Sequence, residues 1–258
     1  MRARQLYTVA TTKDDERAIL AAKGGEEKSA YVREIFSEIA PRYDLLNHIL
    51  SLNVDRVWRR RAIAELRVQQ RPEGRYLDLC AGTLDVTAAI TVTQGFRGRV
   101  VSVDFAEPML RAGLRKVAGR PVGVVAGDAM VLPIAASSIA GAIVAFGIRN
   151  VGDLDSCLKE AVRVLEPGGR FVILEFSTPG SPLVNAGYQL YFRRILPLLG
   201  GFISGHRTAY SYLPRSVANF PSREELARRM RGAGFEDVRW RSLTLGIVAI
   251  HTGTKGNS

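Results

Sequence analysis

A strand–turn–helix junction constrains what this chain can fold into. A β-type run at 74–79 leads into a turn of small residues that contains Gly82, and a helix-compatible run follows at 86–90. Such a junction brings backbone N–H groups and a helix N-terminus close to a ligand. The next apolar run, 99–103, ends in Asp104, and an acid at that point can accept hydrogen bonds from both hydroxyls of a ribose. These features predict a site for a nucleoside-containing cofactor.

Strand-like and helix-like segments alternate along the rest of the chain, which predicts a parallel sheet with helices on both faces. Strands are predicted at 75–79, 99–103, 122–126, 140–146, 170–176, 236–241 and 245–252, and helices at 85–93, 107–117 and 153–165. A capping-box sequence at Ser222 opens another helix, which is expected to end at Gly232 or Gly234. The expected fold is a doubly wound, seven-stranded, Rossmann-like α/β sheet.

Two helical additions are expected beside this sheet. Apolar residues recur at helical spacing within 29–70, which predicts an N-terminal helical lid, and an apolar, aromatic insertion follows the fifth strand at 180–220. Residues 1–28 are charged and have no clear period, which predicts a mobile segment. The remainder, 29–255, is expected to form a single domain.

The charge of the chain implies an anionic partner. Its 258 residues carry a formal net charge of +11, and the pI is near 10.1, which suits either nucleic acid or an acidic membrane surface. No basic stretch is interleaved with aromatic residues as in nucleic-acid binders, so no nucleic-acid partner is expected. Arg193, Arg194 and Arg207 surround an apolar run in the insertion, a combination that suits a membrane interface.

The cysteines and histidines argue against a disulfide-stabilised protein and against a metal-binding protein. Cys80 and Cys157 are the only cysteines, which is no disulfide framework and indicates a reducing cytoplasm. The three histidines lack the spacing of a metal site, so no metal is expected. The most apolar stretch, 195–203, is too short to span a bilayer. We therefore expect a cytoplasmic protein, associated peripherally with the inner face of the cell membrane.

Successive short segments resemble the motifs of class I S-adenosylmethionine-dependent methyltransferases. These segments are DLCAGT at 78–83, VDFAEPML at 103–110, GDA at 127–129 and LEPGG at 165–169. Narrower matches are FGIRNV at 146–151, LEFSTP at 174–179, IAPRYDLLN at 39–47, WRR at 58–60 and AYSYL at 209–213. Over roughly residues 31–255 the chain thereby resembles the C-methyltransferases of menaquinone and ubiquinone biosynthesis, which methylate a polyprenylated hydroquinone ring.

The resemblance implies a set of site residues, most of them at the carboxyl ends of the predicted strands. For S-adenosyl-L-methionine they are Asp78, Gly82, Thr83, Asp104, Phe105, Asp128, Ala129 and Ala145. For the polyprenyl hydroquinone substrate they are Asn47, Phe146, Glu175 and Tyr210, and the implied catalytic residues are Arg149, Asn150 and Tyr43. Arg149 and Asn150 follow the fourth strand, next to the switch point where ligands of open α/β sheets bind.

The implied reaction is methylation of demethylmenaquinol to menaquinol in menaquinone biosynthesis. A phenol with a pKa of about 10 is mostly neutral near pH 7, so the site must favour the phenolate before the ring carbon attacks. The hypothesis is that Arg149 stabilises the developing oxyanion, directly or through a water held by Asn150, while Tyr43 orients the ring. A ubiquinone precursor stays open as the substrate, and a homodimer stays open as the assembled form.

Two departures from the family pattern lead to further expectations. The turn usually reads Gly-Thr-Gly-Asp in that family, and Leu84 replaces its second glycine. Leucine is bulky and disfavoured at φ > 0, so Leu84 is expected to narrow the cofactor cleft. This leaves a methyltransferase-fold protein with impaired cofactor binding as an alternative. His206 and Thr208 stand where relatives commonly carry acidic residues, and are expected to alter contacts with the substrate.

Overall fold

A computed structural model of the chain describes residues 26–40, 51, 53–190, 212 and 215–257. Within these residues seven strands form one sheet in the order β3-β2-β1-β4-β5-β7-β6. The strands are β1 (Arg75–Leu79), β2 (Arg99–Asp104), β3 (Val122–Ala126), β4 (Ile139–Ala145), β5 (Leu165–Phe176), β6 (Phe235–Leu243) and β7 (Val248–Lys255). Pairing is parallel from β3 to β5, and β7 runs antiparallel to β5 and β6. The predicted seven-stranded α/β class is confirmed.

Helices cover both faces of this sheet. They are α1 (Glu26–Ile39), α2 (Val54–Glu65), α3 (Asp85–Thr91), α4 (Glu107–Gly113), α5 (Leu154–Val164), α6 (Pro182–Leu190) and α7 (Arg223–Gly232). Leu77 of β1 lies in one apolar cluster with Leu158 of α5, whereas Ile143 of β4 lies in the other with Trp58 of α2. Because both faces are covered, the central strands are apolar on both sides rather than alternating.

The centre of the sheet is the pair β1–β4, where the strand order reverses. In register, Asp78 of β1 lies between Ser102 of β2 and Ile143 of β4. Strand order reverses here, so a crevice opens outside the carboxyl ends of these strands. The fold therefore places a ligand site at the predicted edge of the sheet.

Most element boundaries fall close to the predicted ones, and the differences have local causes. Helix α1 begins at Glu26, ahead of the predicted boundary at residue 29, and residues 1–25 and 191–211 lie outside the described residues. Strand β7 begins at Val248 rather than residue 245, because Leu245 adopts a left-handed conformation (φ 58°) in a 3-10 turn. No helix in the described part of the chain combines the length and apolar character needed to cross a membrane.

Two helix starts show how capping fixes these boundaries. The side chain of Asp153 accepts hydrogen bonds from the backbone N–H groups of Asp155 and Ser156 at the start of α5. Ser222 accepts from the N–H of Glu225 at 3.2 Å at the start of α7, as the capping-box sequence predicts. Both side chains satisfy donors that have no partner inside the helix.

The turn between β1 and α3 overturns the expectation for Leu84. Leu84 takes the left-handed conformation (φ 66°) just before α3, and its side chain is fully buried in a cluster with Ala81, Leu110 and Val117. The prediction that Leu84 narrows the cofactor cleft is therefore wrong, since the side chain packs into the core beneath the turn. A left-handed leucine costs roughly 1–2 kcal/mol, which burial of its side chain, worth about 1.5–3 kcal/mol, offsets.

Leu84→Gly is therefore expected to destabilise the protein without improving cofactor binding. Glycine relieves the left-handed strain, but loss of the buried side chain leaves a cavity, and such truncations cost about 2–5 kcal/mol. We expect a net loss of about 2 kcal/mol, and at most about 4 kcal/mol, in the free energy of unfolding, measured by urea denaturation. Leu84→Met keeps the buried volume and is the matched control. A Leu84→Gly protein as stable as the wild type would contradict this account.

Candidate active site

Two adjoining cavities lie at the carboxyl ends of β1, β2 and β4, and together they are called the cofactor cleft below. Both are lined by Cys80, Asp104, Phe105, Gly147 and Asn150. Gly82 lines one of them, and Asp128 and Ala129 line the other. Each has a volume of ≈ 30 Å³, which exceeds the roughly 10–15 Å³ that a cavity needs to hold one water molecule.

The structure brings part of the predicted site together at this cleft. The predicted residues that line it are Gly82, Asp104, Phe105, Asp128, Ala129 and Asn150. The predicted residues that are described but do not line it are Asp78, Thr83, Ala145, Phe146, Arg149 and Glu175. Those that lie outside the described residues are Tyr43, Asn47, Tyr210, His206 and Thr208. No group of His, Cys, Asp or Glu among the described residues is arranged to hold a metal ion.

Asp104 holds two loops of the cofactor cleft together. Its carboxylate accepts hydrogen bonds from the backbone N–H groups of Gly82 and Ala106, each at 2.8 Å, one on each oxygen. Burial raises the pKa of Asp104, and the hydrogen bonds from Ala106, Gly82 and Phe105 oppose that rise. Each carboxylate oxygen has a further lone pair, so Asp104 can still accept from a ligand hydroxyl.

The part of the cleft beside β3 combines a carboxylate, an aromatic ring and an arginine. Asp128 is exposed, and its Oδ1 accepts from the N–H of Met130 at 2.8 Å. Phe105 is half-buried, and the guanidinium of Arg33 from α1 lies 5.6 Å from its ring centroid. Arg33 also lines the cleft, so α1 forms part of its wall.

Asp78 lies beneath the turn instead of facing the cleft. Its Oδ2 accepts from the N–H of Thr87 at 2.9 Å and from the Thr87 hydroxyl at 2.6 Å, and that hydroxyl lies 2.7 Å from the hydroxyl of Ser102. Leu84, at the N-cap position of α3, offers no side-chain cap. The carboxylate of Asp78 therefore satisfies the helix N–H that a capping side chain normally would.

A glycine permits close contact between the ends of β1 and β4. A Cβ on Gly147 would lie 2.3 Å from the Cβ of Cys80, so only glycine fits there. The preceding Phe146 has a positive φ of 60°, and its ring lies 4.8 Å from that of Phe176 and 6.0 Å from that of Trp58. Phe146 therefore belongs to an aromatic cluster beside the cleft.

A buried ion pair joins the ends of β4 and β5. Nη1 of Arg149 lies 2.8 Å from Oε1 of Glu175, and the two side chains are 7% and 2% exposed. Arg149 also donates to the carbonyl of Phe146, and its guanidinium lies 5.5 Å from the ring centroid of Phe176. Glu175 in turn accepts from the backbone N–H groups of Arg149 and Phe176. These bonds fix the guanidinium next to Asn150, which lines the cleft.

Three residues that the sequence reasoning missed interact electrostatically with this ion pair. The hydroxyl of Tyr212 donates to Oδ1 of Asn150 at 3.3 Å. Burial raises the pKa of Tyr212 to about 12 and also raises the pKa of Tyr188. Burial and the charge of Arg149 lower the pKa of Lys28 to about 8. Arg149 and Glu175 affect the pKa of all three groups, so these groups share one electrostatic environment.

Only one of these residues has a signal in the sequence. Tyr212 belongs to the same motif, AYSYL at 209–213, that implied Tyr210. Lys28 lies in a charged run with no motif, and Tyr188 lies in an apolar insertion without a distinguishing pattern. The effect of Arg149 on both groups follows from tertiary packing, which a single sequence does not display.

The environment of Asp78 predicts a pH-dependent effect on stability. Burial, opposed by the hydrogen bonds from Thr87, raises the pKa of Asp78 from 3.8 to about 7. Between about pH 4 and pH 7 Asp78 is therefore protonated in the folded protein but ionised in the unfolded chain. Because the folded state binds the extra proton, the contribution of Asp78 to the free energy of unfolding falls as the pH rises through this range. Asp78→Asn cannot titrate and so lacks this pH dependence. The difference in unfolding free energy, variant minus wild type, is expected to increase by up to about 4 kcal/mol from pH 4 to pH 7.

Urea denaturation of both proteins at pH 4 and pH 7 measures this difference. Glu73→Gln, at an exposed acid, is the control and should follow the wild type. Parallel pH curves for Asp78→Asn and the wild type would contradict a buried, protonated Asp78.

Comparison with known proteins identifies the family. Residues 24–255 match the model of the ubiE/COQ5 methyltransferase family. A demethylmenaquinone methyltransferase of Thermus thermophilus is 46% identical over 223 residues, covering 86% of this chain and all of the relative (100%). A ubiquinone/menaquinone biosynthesis C-methyltransferase of Geobacter sulfurreducens is 45% identical over 234 residues, covering 89% and 90%. A demethylmenaquinone methyltransferase of Desulfitobacterium hafniense is 37% identical over 245 residues, covering 93% and 96%.

Two solved methyltransferase structures of distant sequence share this fold. A SAM-dependent methyltransferase from Thermotoga maritima superposes with a TM-score of 0.56 at 22% identity, covering 86% of this chain and 98% of that one. A Haemonchus contortus phosphoethanolamine N-methyltransferase, in complex with S-adenosylhomocysteine, gives 0.53 at 15%, covering 71% and 49%. At such identities the likeness concerns the fold alone. The chain belongs to the ubiE/COQ5 methyltransferase family and has the Rossmann-like fold of class I methyltransferases.

Proposed function

We propose that this enzyme transfers a methyl group from S-adenosylmethionine to a ring carbon of a polyprenylated hydroquinone, with demethylmenaquinol as the substrate. The observation that carries the proposal is the buried Arg149–Glu175 pair next to the cofactor cleft. Two of the relatives described above are demethylmenaquinone methyltransferases, which supports this choice of substrate.

The residues of the cofactor cleft fit S-adenosylmethionine. The carboxylate of Asp104 lines both cavities, and Gly82 and Gly147 leave the backbone beside it uncovered. Asp104 would accept from the ribose hydroxyls, while Asp128 and the N–H of Ala129 would bind the adenine. When bound, the cofactor supplies an electrophilic methyl group on a sulfonium.

Arg149 is proposed to stabilise the negative charge that develops on the substrate oxygen. A ring carbon becomes nucleophilic when the neighbouring hydroxyl loses its proton. Glu175 holds the guanidinium in place and balances its charge, so the pair acts through oriented N–H donors rather than through excess charge. Because these donors are fixed before the substrate arrives, little energy is spent on reorienting them.

The groups around the ion pair are proposed to manage the proton of the substrate. The raised pKa values of Tyr188 and Tyr212 keep both hydroxyls protonated near neutral pH. Tyr188 can therefore donate to an oxyanion, and Tyr212 can do so by giving up its hydrogen bond to Asn150. Lys28, with a pKa of about 8, is partly neutral near that pH and is a candidate acceptor for the hydroquinone proton. Tyr43, Asn47 and Tyr210 keep their proposed substrate-side roles.

Aromatic side chains exclude water from one side of the ion pair. Trp58, Phe146 and Phe176 form a contiguous cluster, and the ring of Phe176 also contacts Arg149. Electrostatic interactions are stronger where water is excluded. The half-buried ring of Phe176 suits contact with an apolar aromatic ring that carries a prenyl substituent.

Two alternative functions were predicted, and only one of them is still supported. A ubiquinone precursor stays a second candidate substrate because the name of the Geobacter relative includes both quinones. Impaired cofactor binding was inferred from Leu84 alone, and the side chain of Leu84 is buried away from the cleft. That alternative has therefore lost its basis.

We also propose that the enzyme associates peripherally with an anionic membrane surface. Helix α2 exposes Arg56 and Arg60 beside Val57, which is 45% exposed, and the chain carries a net charge of +11. Arg193, Arg194 and Arg207 lie outside the described residues. Co-sedimentation with phosphatidylglycerol vesicles measures the association, and binding that is unaffected by high salt would count against it.

Asp104→Asn is expected to weaken cofactor binding. The amide keeps one acceptor oxygen but loses the charge and one accepted hydrogen bond, a loss of about 1.5–3 kcal/mol for charge-assisted bonds. Alanine would also remove both acceptors of the Gly82 and Ala106 N–H groups. Asparagine is therefore chosen because it disturbs the loops less. Calorimetric titration with S-adenosylmethionine measures the affinity. Glu107→Gln, an exposed acid outside the cleft, is the control; equal affinities for both variants would place the cofactor elsewhere.

Removing both charges of the ion pair is expected to abolish most turnover. Changing Arg149 alone would leave Glu175 buried and unpaired, which typically costs about 3–5 kcal/mol of stability, so we choose the double variant Arg149→Gln/Glu175→Gln. Loss of preorganised donors of this kind lowers turnover about 100- to 1000-fold. Methyl transfer is assayed on short-tailed demethylmenaquinol and on a ubiquinone precursor, together with cofactor affinity.

The matched control removes an exposed ion pair, Arg111→Gln/Glu107→Gln. It should retain wild-type turnover. Turnover of Arg149→Gln/Glu175→Gln within a few-fold of the control would exclude the pair from catalysis. Turnover of the wild type on the ubiquinone precursor alone would assign the other substrate.

A further inference from the structure

A separate cavity lies at the opposite end of the sheet from the cofactor cleft. Its lining includes Tyr76 at the start of β1, Ala140 at the start of β4 and Thr254 at the end of β7, and its volume is ≈ 290 Å³. It shares no lining residue with the cofactor cleft. It is called the basic pocket below.

Four arginines line the basic pocket, and Asp237 is the one carboxylate among its lining residues. The arginines are Arg67, Arg71, Arg170 and Arg239. Side chains of both signs are usual on a protein surface, whereas this pocket is dominated by one sign. A concave site of one sign concentrates ions of the opposite sign, so the basic pocket favours an anion.

The carboxylates next to the basic pocket already accept hydrogen bonds from arginines. Glu166 accepts from Arg71 at 2.9 Å, while Glu65 accepts from Arg170 at 3.2 Å and from Arg241, outside the pocket lining, at 3.1 Å. Among the described residues no carboxylate lies within 4.0 Å of the guanidinium of Arg67 or of Arg239. The pocket therefore retains positive charge that the protein does not neutralise.

Arg170 adds an unsatisfied donor to this charge. Its Nε is buried and has no hydrogen-bond partner among the described residues. Burial lowers the pKa of Arg170, and the charges of Arg67 and Arg239 add to that effect, against the opposing pull of Glu65. A buried donor without an acceptor is unfavourable, and an anion in the pocket would relieve both the missing bond and the repulsion.

The geometry points to a phosphoryl oxyanion as the ligand. Guanidinium groups match phosphate oxygens as paired donors. A volume of ≈ 290 Å³ lies at the small end of ligand pockets, which span about 300–1,000 Å³, so it suits a diphosphate or phosphomonoester group. We propose that the basic pocket, through Arg67, Arg71, Arg170 and Arg239, binds a phosphoryl group at a site distinct from the methyl-transfer site.

Calorimetric titration of the full chain with inorganic diphosphate tests this proposal. Arg67→Gln and Arg239→Gln remove exposed charges and should not affect folding, which melting temperatures will check. Each is expected to weaken diphosphate binding about 10-fold, as for loss of a charge-assisted bond. Arg99→Gln removes an exposed arginine at the same edge of the sheet but outside the pocket, and should bind as the wild type does.

A second arm separates a soluble ligand from a lipid headgroup. Co-sedimentation with phosphatidic acid vesicles is compared with phosphatidylcholine vesicles, using the same three variants. Pocket-dependent binding of diphosphate in solution supports a soluble ligand, and pocket-dependent binding only to phosphatidic acid vesicles supports a lipid headgroup. Absence of both, or an equal effect of Arg99→Gln, overturns the proposal. Neither the diphosphate titration nor the vesicle co-sedimentation depends on methyl-transfer activity.

Discussion

The candidate site depends on the hydrogen bonds of one buried side chain, that of Asp78. It accepts from the backbone and side chain of Thr87 and so takes the place of the missing N-cap of α3. The turn over residues 80–84 can then follow the backbone course that the cleft requires, with Leu84 packed below it. Without this carboxylate the first turn of α3 would lack a partner for a buried N–H, which is costly.

Asp104 performs the corresponding task from the next strand. By binding the N–H groups of Gly82 and Ala106, it joins the turn after β1 to the turn after β2. Two carboxylates on adjacent strands thus set the loops of the cleft from below and from the side. Asp104 is therefore both a proposed ligand residue and part of the frame of the cleft, so a substitution there is expected to change affinity and local structure together.

Sequence reasoning predicted the sheet, its edge and the acid at the end of β2 because these follow from periodicity and from strand order. It failed at Leu84, where propensity disfavours the left-handed conformation but a buried side chain offsets that cost. The assignment of Asp78 to the cofactor stays a prediction, and the hydrogen bonds of its carboxyl group with Thr87 are a role that a pattern of residue types does not display. Lys28 and Tyr188 were missed because the charge of Arg149 acts on them only through the packing of segments that are far apart in sequence.

Helix α1 ties the cofactor cleft to the N-terminal part of the chain. Arg33 and Phe36 of α1 line the cleft, and Phe36 shares apolar clusters with Phe105 and Met109. The wall of the cleft therefore depends on a helix that is separate in sequence from the strands, and a substitution that loosens the packing of Phe36 would change the cleft without altering any residue of the sheet.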